Sequence, residues 1–414
     1  MDISKKILSD PLNQWFFSRK IKESYLVGGY VRDILRDRTS KDKDFVLKSL
    51  AEATAKQLAK KIKGKFIALK PGHTLRVMSK HKQVLDFSFL KQSINNDLKE
   101  RDFTVNAIAW SPDKGIIDPL KGREDIKKGI IRAVRMKNLG LDPLRTLRAY
   151  RIAAELGFKI EKKTRKYLSY HSKKLFTTAS ERITEELFKL LSNPDPSTVN
   201  YLDCCYKDKV LENFILPRDT KKAAIIAKNI RSIKKFNLFL TKQTESGKEK
   251  KVTAYLDTEL SQGLTIRGFL YLSLLLTDSS ITATRLKISK TIHKALKDIH
   301  NGYDEINNLI RAKQKITRKI FYKIFIAAGE RVYETAVVLA FRNKENLKKY
   351  FAYAEEFLKI KNKILLNGNE VQKILGIKPC RQLGRIMNEL KLQQLAGNIK
   401  TRAEARKWLL RNYT

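Results

Sequence analysis

The sequence predicts an α+β protein: a small N-terminal α/β head on a mixed sheet, followed by an all-helical neck, body and tail. Three observations carry this. Short apolar or alternating runs of strand length are concentrated between Tyr25 and Phe89, with helical patterns between them. From about Asp142 onward, period-two runs of Val, Ile and aromatic residues become rare and helical spacing takes over. Finally, 414 residues exceed one ordinary core and call for two or more domains in series.

Residues 25–27 form a short apolar run that ends at Gly28-Gly29 and leads into a helical pattern over 31–35. Residues 43–47 read as a strand, and 51–62 as a helix with Ala, Lys and Leu at helical spacing. Residues 66–69, 74–78 and 84–89 read as short strands, the last with clear alternation. Lys242 to Lys251 has the composition of an exposed loop, and Asn367-Gly368-Asn369 breaks the helical pattern. Gly376, Pro379, Gly384 and Gly397 punctuate the helices beyond it, and no repeat recurs at a fixed period. The parts divide as head 1–135, neck 136–200, body 201–365 and tail 366–414.

Hydrophobic residues make up 42%, enough for a globular chain and too many for a disordered one. Lys and Arg number 86 against 43 Asp and Glu, a net charge of +43. Such an excess repels itself in the folded state. A polyanion relieves it, and nucleic acid is the usual one; a Lys-rich proteome would bias the surface the same way. Cys204 and Cys205 are adjacent and Cys380 stands alone, with no C-x-x-C. Reduced thiols and a cytoplasmic location are therefore expected. The N-terminus carries Asp2, Lys5 and Lys6 and lacks an apolar run of signal-peptide length. The most apolar stretch, Gly268 to Leu276, is too short to span a bilayer, so no membrane partner is expected.

The chemistry begins at Leu26-Val27-Gly28-Gly29-Tyr30-Val31-Arg32-Asp33. Glycines let the backbone approach a phosphate, the following helix start offers free N–H groups, and Arg32 adds a forked cation. Alone, this reads as a tight turn. Asp42-Lys43-Asp44 at the entry to a strand changes the balance. Side chains two apart on a strand share a face, so both carboxylates converge and Lys43 turns away. Two close carboxylates repel without a cation between them, and Mg²⁺ takes few carboxylates while keeping positions for substrate phosphates. The pair suits a two-metal phosphoryl-transfer site. Asp86, in the apolar run 84–89, is a candidate third ligand or general base, or an edge-strand carboxylate facing water.

In Arg101-Asp102-Phe103-Thr104-Val105-Asn106, Arg101 suits a triphosphate, and Asp102 and Asn106 look like short side chains bracing the backbone. Asp142-Pro143 marks a helix start, with Asp142 at the cap. Arg145, Arg148 and Arg151 then form a slanting basic stripe. Three such cations repel unless an anion sits among them, and phosphate is the natural candidate.

The order G-G-x-V-R-D, D-x-D, R-D-F-T-x-N-A, D-P-x-R-x-L-R-A-x-R resembles the class II tRNA nucleotidyltransferases, which include CCA-adding enzymes and bacterial poly(A) polymerases. Glu181-Arg182-Ile183 with Glu186-Leu187 resembles the next family motif, and segments from Leu375 to Ala405 resemble the C-terminal region of some members. The resemblance implies a nucleotidyltransferase head and RNA-binding helical parts. It implies tRNA, CTP and ATP as partners and Mg²⁺ as cofactor. Asp42 and Asp44 would hold two Mg²⁺ ions. Gly28, Gly29, Arg32 and Arg101 would bind the nucleotide, Asp142 and Arg145 would select its base, and Arg148 and Arg151 would complete the pocket. Addition of CCA, of CC or A only, and of poly(A) all remain open, as does a silent RNA-binding member of the fold.

The chain departs from the family pattern at Leu141, where a Glu usually precedes the Asp of D-P-x-R, and at Glu100, where a second Arg is usual. The family's flexible loop, with which full CCA-adding members switch from C to A, belongs between Asp44 and Arg101, and none is identifiable there. His73, His81, His171, His293 and His300 are scattered without a His-Asp pair, so no phosphohydrolase domain is expected.

Overall fold

Asp10-Pro11 starts a helix for the reason given above for Asp142-Pro143: a side-chain acceptor for free N–H groups, then a residue preset for the first turn. In the computed structural model, Asp2 caps α1 (Ile3–Leu8) and Asp10 caps α2 (Pro11–Phe17). The structure describes residues 2–40, 42–70, 74–80, 83–211, 220–244, 250–276, 286–311, 318–361 and 365–413. The chain divides into two units, Met1–Leu190 with Asn200–Asp219, and Leu191–Val199 with Thr220–Thr414.

In the first unit, seven strands form one sheet. They are β1 (Ser24–Val27), β2 (Lys43–Leu47), β3 (Lys65–Lys70), β4 (Thr74–Met78), β5 (Val84–Phe89), β6 (Ala109–Ser111) and β7 (Gly115–Ile117), in the order β3-β4-β5-β2-β1-β6-β7. β2 and β5 run parallel and every other neighbouring pair is antiparallel. The sheet is thus mixed, as expected, with β6 and β7 added to the strands legible in the sequence.

Period-two alternation sends residues to both faces, and both are buried. Leu26, Phe45, Leu47, Phe87 and Trp110 join one core cluster with Phe16 and Phe17 of α2. Val31 of α3 (Gly29–Leu35) and Ala55 and Leu58 of α4 (Ala51–Lys61) belong to the same cluster. Tyr25, Val27 and Val46 join a second cluster with Ile94 and Leu98 of α5 (Ile94–Glu100). Phe16 lies 4.1 Å from the Phe45 ring, and Phe17 meets Trp110 edge-on at 5.0 Å. These aromatics seat the N-terminal helices on the sheet.

After the sheet come α6 (Gly122–Lys128), α7 (Met136–Leu141), α8 (Leu144–Leu156), α9 (Lys162–His171) and α10 (Ser180–Leu191). α8 starts one residue later than the motif places it, with Pro143 at the cap position, while the Asp142 carboxylate still accepts from the Leu144 N–H at 3.3 Å.

The second unit is mostly helical, and its last three helices share a small core of Val371, Ile386, Leu390, Ala405 and Leu409. The all-helical expectation needs correction in two places. Ile130–Ile131 pairs with Lys159–Ile160, and Glu259–Ser261 pairs with Leu264–Thr265. The second ribbon turns on Gln262 and Gly263, both at positive φ, the conformation that two-residue hairpin turns require. The expected loop over 242–251 is also revised. One helix runs to Thr244 and the next begins at Lys250, so only 245–249, outside the described residues, separates them. His73 and His81 likewise lie outside the described residues. No described helix is long and apolar enough to cross a membrane.

Candidate active site

β1 ends at Val27 and the chain turns at Gly28, with φ +77° and ψ −138°, a conformation closed to residues with a Cβ. A Cβ here would stand 3.1 Å from both the Arg101 guanidinium and an Asp44 carboxylate oxygen. Three motifs far apart in the chain therefore meet within van der Waals distance. The Gly28 N–H donates to the Ile108 carbonyl at 3.0 Å, which fixes the turn at the end of β1.

β2 presents Asp44 to this turn, and Asp42 precedes the strand. Asp42 accepts from the Val84 N–H at 3.1 Å, so β5 holds it in place. Lys43 points the other way and is buried. One cleft is lined by Gly28, Gly29, Arg32, Asp42, Asp44, Arg101, Arg148 and Arg151, together with Asp102 and Asn106. Asp142 and Arg145 do not line it, although Arg145 reaches the Arg101 carbonyl at 3.4 Å.

Burial among protein atoms pushes the Asp44 carboxyl up to about 6; Arg101 opposes the rise, Asp86 adds to it, Arg148 opposes and Asp42 adds. Asp44 still faces open solvent through the cleft, which moderates the effect. A carboxylate in this position gains from a bound cation. Asp86 is the register partner of Asp44, but Arg76 grips both of its oxygens, Nε and Nη2 each at 2.8 Å. Among the described residues no group of three or more His, Cys, Asp and Glu stands where it could hold a metal. Asp42 and Asp44 remain as a two-carboxylate donor set of hard oxygens, which suits Mg²⁺.

Arg32, Arg148 and Arg151 already have carboxylate partners, whereas Arg145 meets only carbonyls among the described residues. Arg32 is buried, with a two-pronged contact to Asp33 (2.8 and 3.0 Å) and a hydrogen bond to Asn106 Oδ1 (2.8 Å). Asn106 donates to Asp102 at 3.3 Å, and Arg148 donates to the other Asp102 oxygen at 3.1 and 2.8 Å. Arg148 and Arg151 share Glu186, and Arg151 also holds Glu155. Glu155 lies 3.8 Å from Arg32 and closes the circuit. The anions among the arginine stripe are thus Asp102, Glu186 and Glu155, where the sequence pointed to phosphate. Burial alone would raise the Asp102 carboxyl; Arg148, the Phe103 N–H and Arg145 outweigh it and bring it down to about 2.

Asp142 is paired with Arg182 at 2.9 Å, and both are partly open to solvent. Leu141, which stands where the family has Glu, is 78% exposed.

Residues 24–132 match the family model for the poly A polymerase head domain, and 157–203 match that for the probable RNA and SrmB-binding site of polymerase A. The CC-adding tRNA nucleotidyltransferase of Geobacter sulfurreducens is 29% identical, over 93% of this chain and 91% of that protein. The CCA-adding enzyme of Streptococcus agalactiae is 28% identical, over 94% and 93%. The head and the segment after it are thus similar to the tRNA nucleotidyltransferase and poly(A) polymerase family. The fold is shared with a CCA-adding enzyme solved with ATP, at a TM-score of 0.72 and 20% identity over 100% of this chain and 99% of that one.

Within this family frame, sequence reading located the turn, the D-x-D pair and Arg101. It did not pair Glu155, Glu186, Arg76 or Arg182 with the site. Arg151 and Glu155 are four apart on one helix, a spacing readable in advance. The other pairings span ten residues or more and left no local signal.

Proposed function

We propose that this chain adds nucleotides to the 3′ end of tRNA from CTP and ATP, without a nucleic-acid template. The observation that carries this is the meeting of the Gly28 turn, Asp44 and Arg101 in one cleft. The RNA 3′-hydroxyl oxygen attacks the α-phosphorus, a new P–O bond forms, and the bond to pyrophosphate breaks. The turn at Gly28 and Gly29 lets the triphosphate approach the backbone, and Arg101 supplies a cation beside it. Asp42 and Asp44 would hold two Mg²⁺ ions, which when bound supply acidification of the attacking hydroxyl and charge neutralisation of the leaving group. Arg148 and Arg151 complete the pocket from one side, and Arg32 fixes its floor through Asp33 and Asn106.

Asp142 and Arg145 select the base. Cytosine and adenine each offer an amino donor beside a ring-nitrogen acceptor, which an Asp acceptor and an Arg donor match; guanine and uracil mismatch both contacts. The Asp142–Arg182 pair is partly exposed, so a base edge can displace it. The four parts bounded at 135, 200 and 365 carry catalysis, base selection, RNA binding and tRNA binding in turn. The basic helical parts read tRNA by shape and backbone.

Of the products, CC is favoured over CCA. No connection between the elements from Asp44 to Arg101 exceeds five residues. The link from Phe89 to Ile94 is tied down at both ends, by Leu90 N–H to the Leu47 carbonyl at 2.7 Å and by Ser93 capping α5. Among the described residues, this link leaves no slack for a loop that reshapes the pocket from C to A.

Three tRNA transcripts test the reading, ending before CCA, after CC and after CCA, each with CTP, ATP or both and Mg²⁺. The expected result is two C residues on the first and silence on the others. Complete CCA on the first would overturn the restriction to CC, and long A tails would mean a poly(A) polymerase. No product on any would sink the enzyme reading. The Asp42→Ala, Asp44→Ala double variant should lose addition and keep tRNA binding.

A further inference from the structure

Lys43 stands between Asp42 and Asp44 and is the least solvated cation near the cleft, with a side chain 0% exposed. Its ammonium lies 2.9 Å from Asp10 Oδ2 and 5.0 Å from the centre of the Tyr30 ring. Beyond Asp10 it has no hydrogen-bond partner among the described residues. The other Asp10 oxygen accepts from Leu12 N–H at 2.9 Å and Asn13 N–H at 3.2 Å, capping α2. Asn13 in turn is buried and donates to Tyr30 Oη at 2.8 Å and to the Ile7 carbonyl at 2.9 Å. Tyr30 follows Gly29 of the phosphate turn directly. One carboxylate thus ties the N-terminal helices to the strand that bears Asp44 and directly follows Asp42, and, through Asn13, to the helix behind the phosphate turn. The head-domain match begins at residue 24, outside α1 and α2.

We propose that Asp10 is a positioning residue for the proposed nucleotidyl transfer: by holding Lys43 behind the sheet it fixes the facing of Asp42 and Asp44. This rests on the reading of the cleft given above. Alternation on a strand couples the three side chains, so seating Lys43 inward seats its neighbours outward. A buried cation without a counter-ion is costly, and removing one partner leaves the other uncompensated. With Asp10 neutral, the carboxylates nearest to Lys43 along the chain are Asp42 and Asp44. The strand entry then has reason to rearrange toward them, which spoils the donor pair. The apolar part of the Lys43 side chain lies in the interior, so Met can replace it without needing a counter-ion.

The experiment compares wild type, Asp10→Asn, Lys43→Met and the double variant. Asn retains the helix cap and removes only the charge. Three quantities are read: kcat and KM for CTP on a tRNA lacking CCA, Mn²⁺ affinity by electron paramagnetic resonance, and the thermal midpoint. In Asp10→Asn, kcat and Mn²⁺ affinity should each fall about tenfold or more while KM for CTP stays within about threefold. In the Lys43→Met background the same substitution should cost less than about threefold, because the charge it uncovers is gone. Wild-type kcat and Mn²⁺ affinity in Asp10→Asn would overturn the proposal. So would an equal loss in both backgrounds. If Asp10→Asn fails to fold, recovery of Mn²⁺ binding in the double variant supports the proposal and its absence overturns it. If the wild type extends no RNA, the functional reading fails, and the Mn²⁺ comparison still decides the role of Asp10.

Discussion

Asp102 lies where the charge circuit around the cleft is most enclosed, with Phe103 N–H and Asn106 on one oxygen and Arg148 on the other. Its folded pKa, about 2, is below the ordinary value of about 3.9. A depressed carboxyl adds stability that is fully present above the unfolded value and is lost as pH falls through the folded one. The pair should therefore contribute about 2 kcal/mol at pH 6, shrinking between about pH 4 and pH 2. Urea unfolding of wild type and Asp102→Asn across this range checks it; a difference that grew toward low pH would contradict the assignment. Asp102 was readable as a bracing residue because it accepts from the adjacent Phe103 N–H, whereas Asn106 bonds the side chains of Arg32 and Asp102. Glu186 was not readable as the counter-ion of Arg148 and Arg151, because nothing in sequence relates residues so far apart until α8 and α10 pack.

α2 is the element whose importance the sequence concealed. It carries the same Asp-Pro start as the helix after Asp142, but at seven residues it is too short for periodicity to mark it. Its weight lies in Phe16, 1% exposed against Phe45, Phe87 and Phe17. Phe16→Ala should cost about 3–5 kcal/mol through lost burial and the cavity left behind. Thermal or urea unfolding measures this, and a loss under about 1 kcal/mol would mean that the site collapses without penalty. β6 and β7 were missed for a related reason: three residues each are too few to show a period, and only pairing, of β6 to β1 and of β7 to β6, defines them as strands. The longer strands, of four to six residues, were legible as short apolar or alternating runs.

At the scale of the whole molecule, the net charge of +43 predicts binding dominated by phosphate contacts. Neutralising phosphates releases counterions, so affinity for tRNA should fall steeply with salt, by about tenfold or more between 50 and 200 mM. A filter-binding or anisotropy titration at several salt concentrations measures the slope. A flat dependence would mean that the excess Lys and Arg is surface bias without a nucleic-acid role. The charge is a property of composition and needed no structure to read.

The sequence by itself determined the head with its mixed sheet, the glycine turn, the shared face of Asp42 and Asp44, and the cationic character of the chain. Each depends on neighbours within a few residues or on composition, where backbone periodicity and formal charge suffice. Tertiary structure alone decided which carboxylates balance the arginine stripe, that Arg76 grips Asp86, and that Lys43 looks inward to Asp10. Ion pairs and aromatic contacts act over a few ångströms but join residues tens of positions apart. Their partners are chosen only when packing brings the elements together and removes the water that would otherwise screen them.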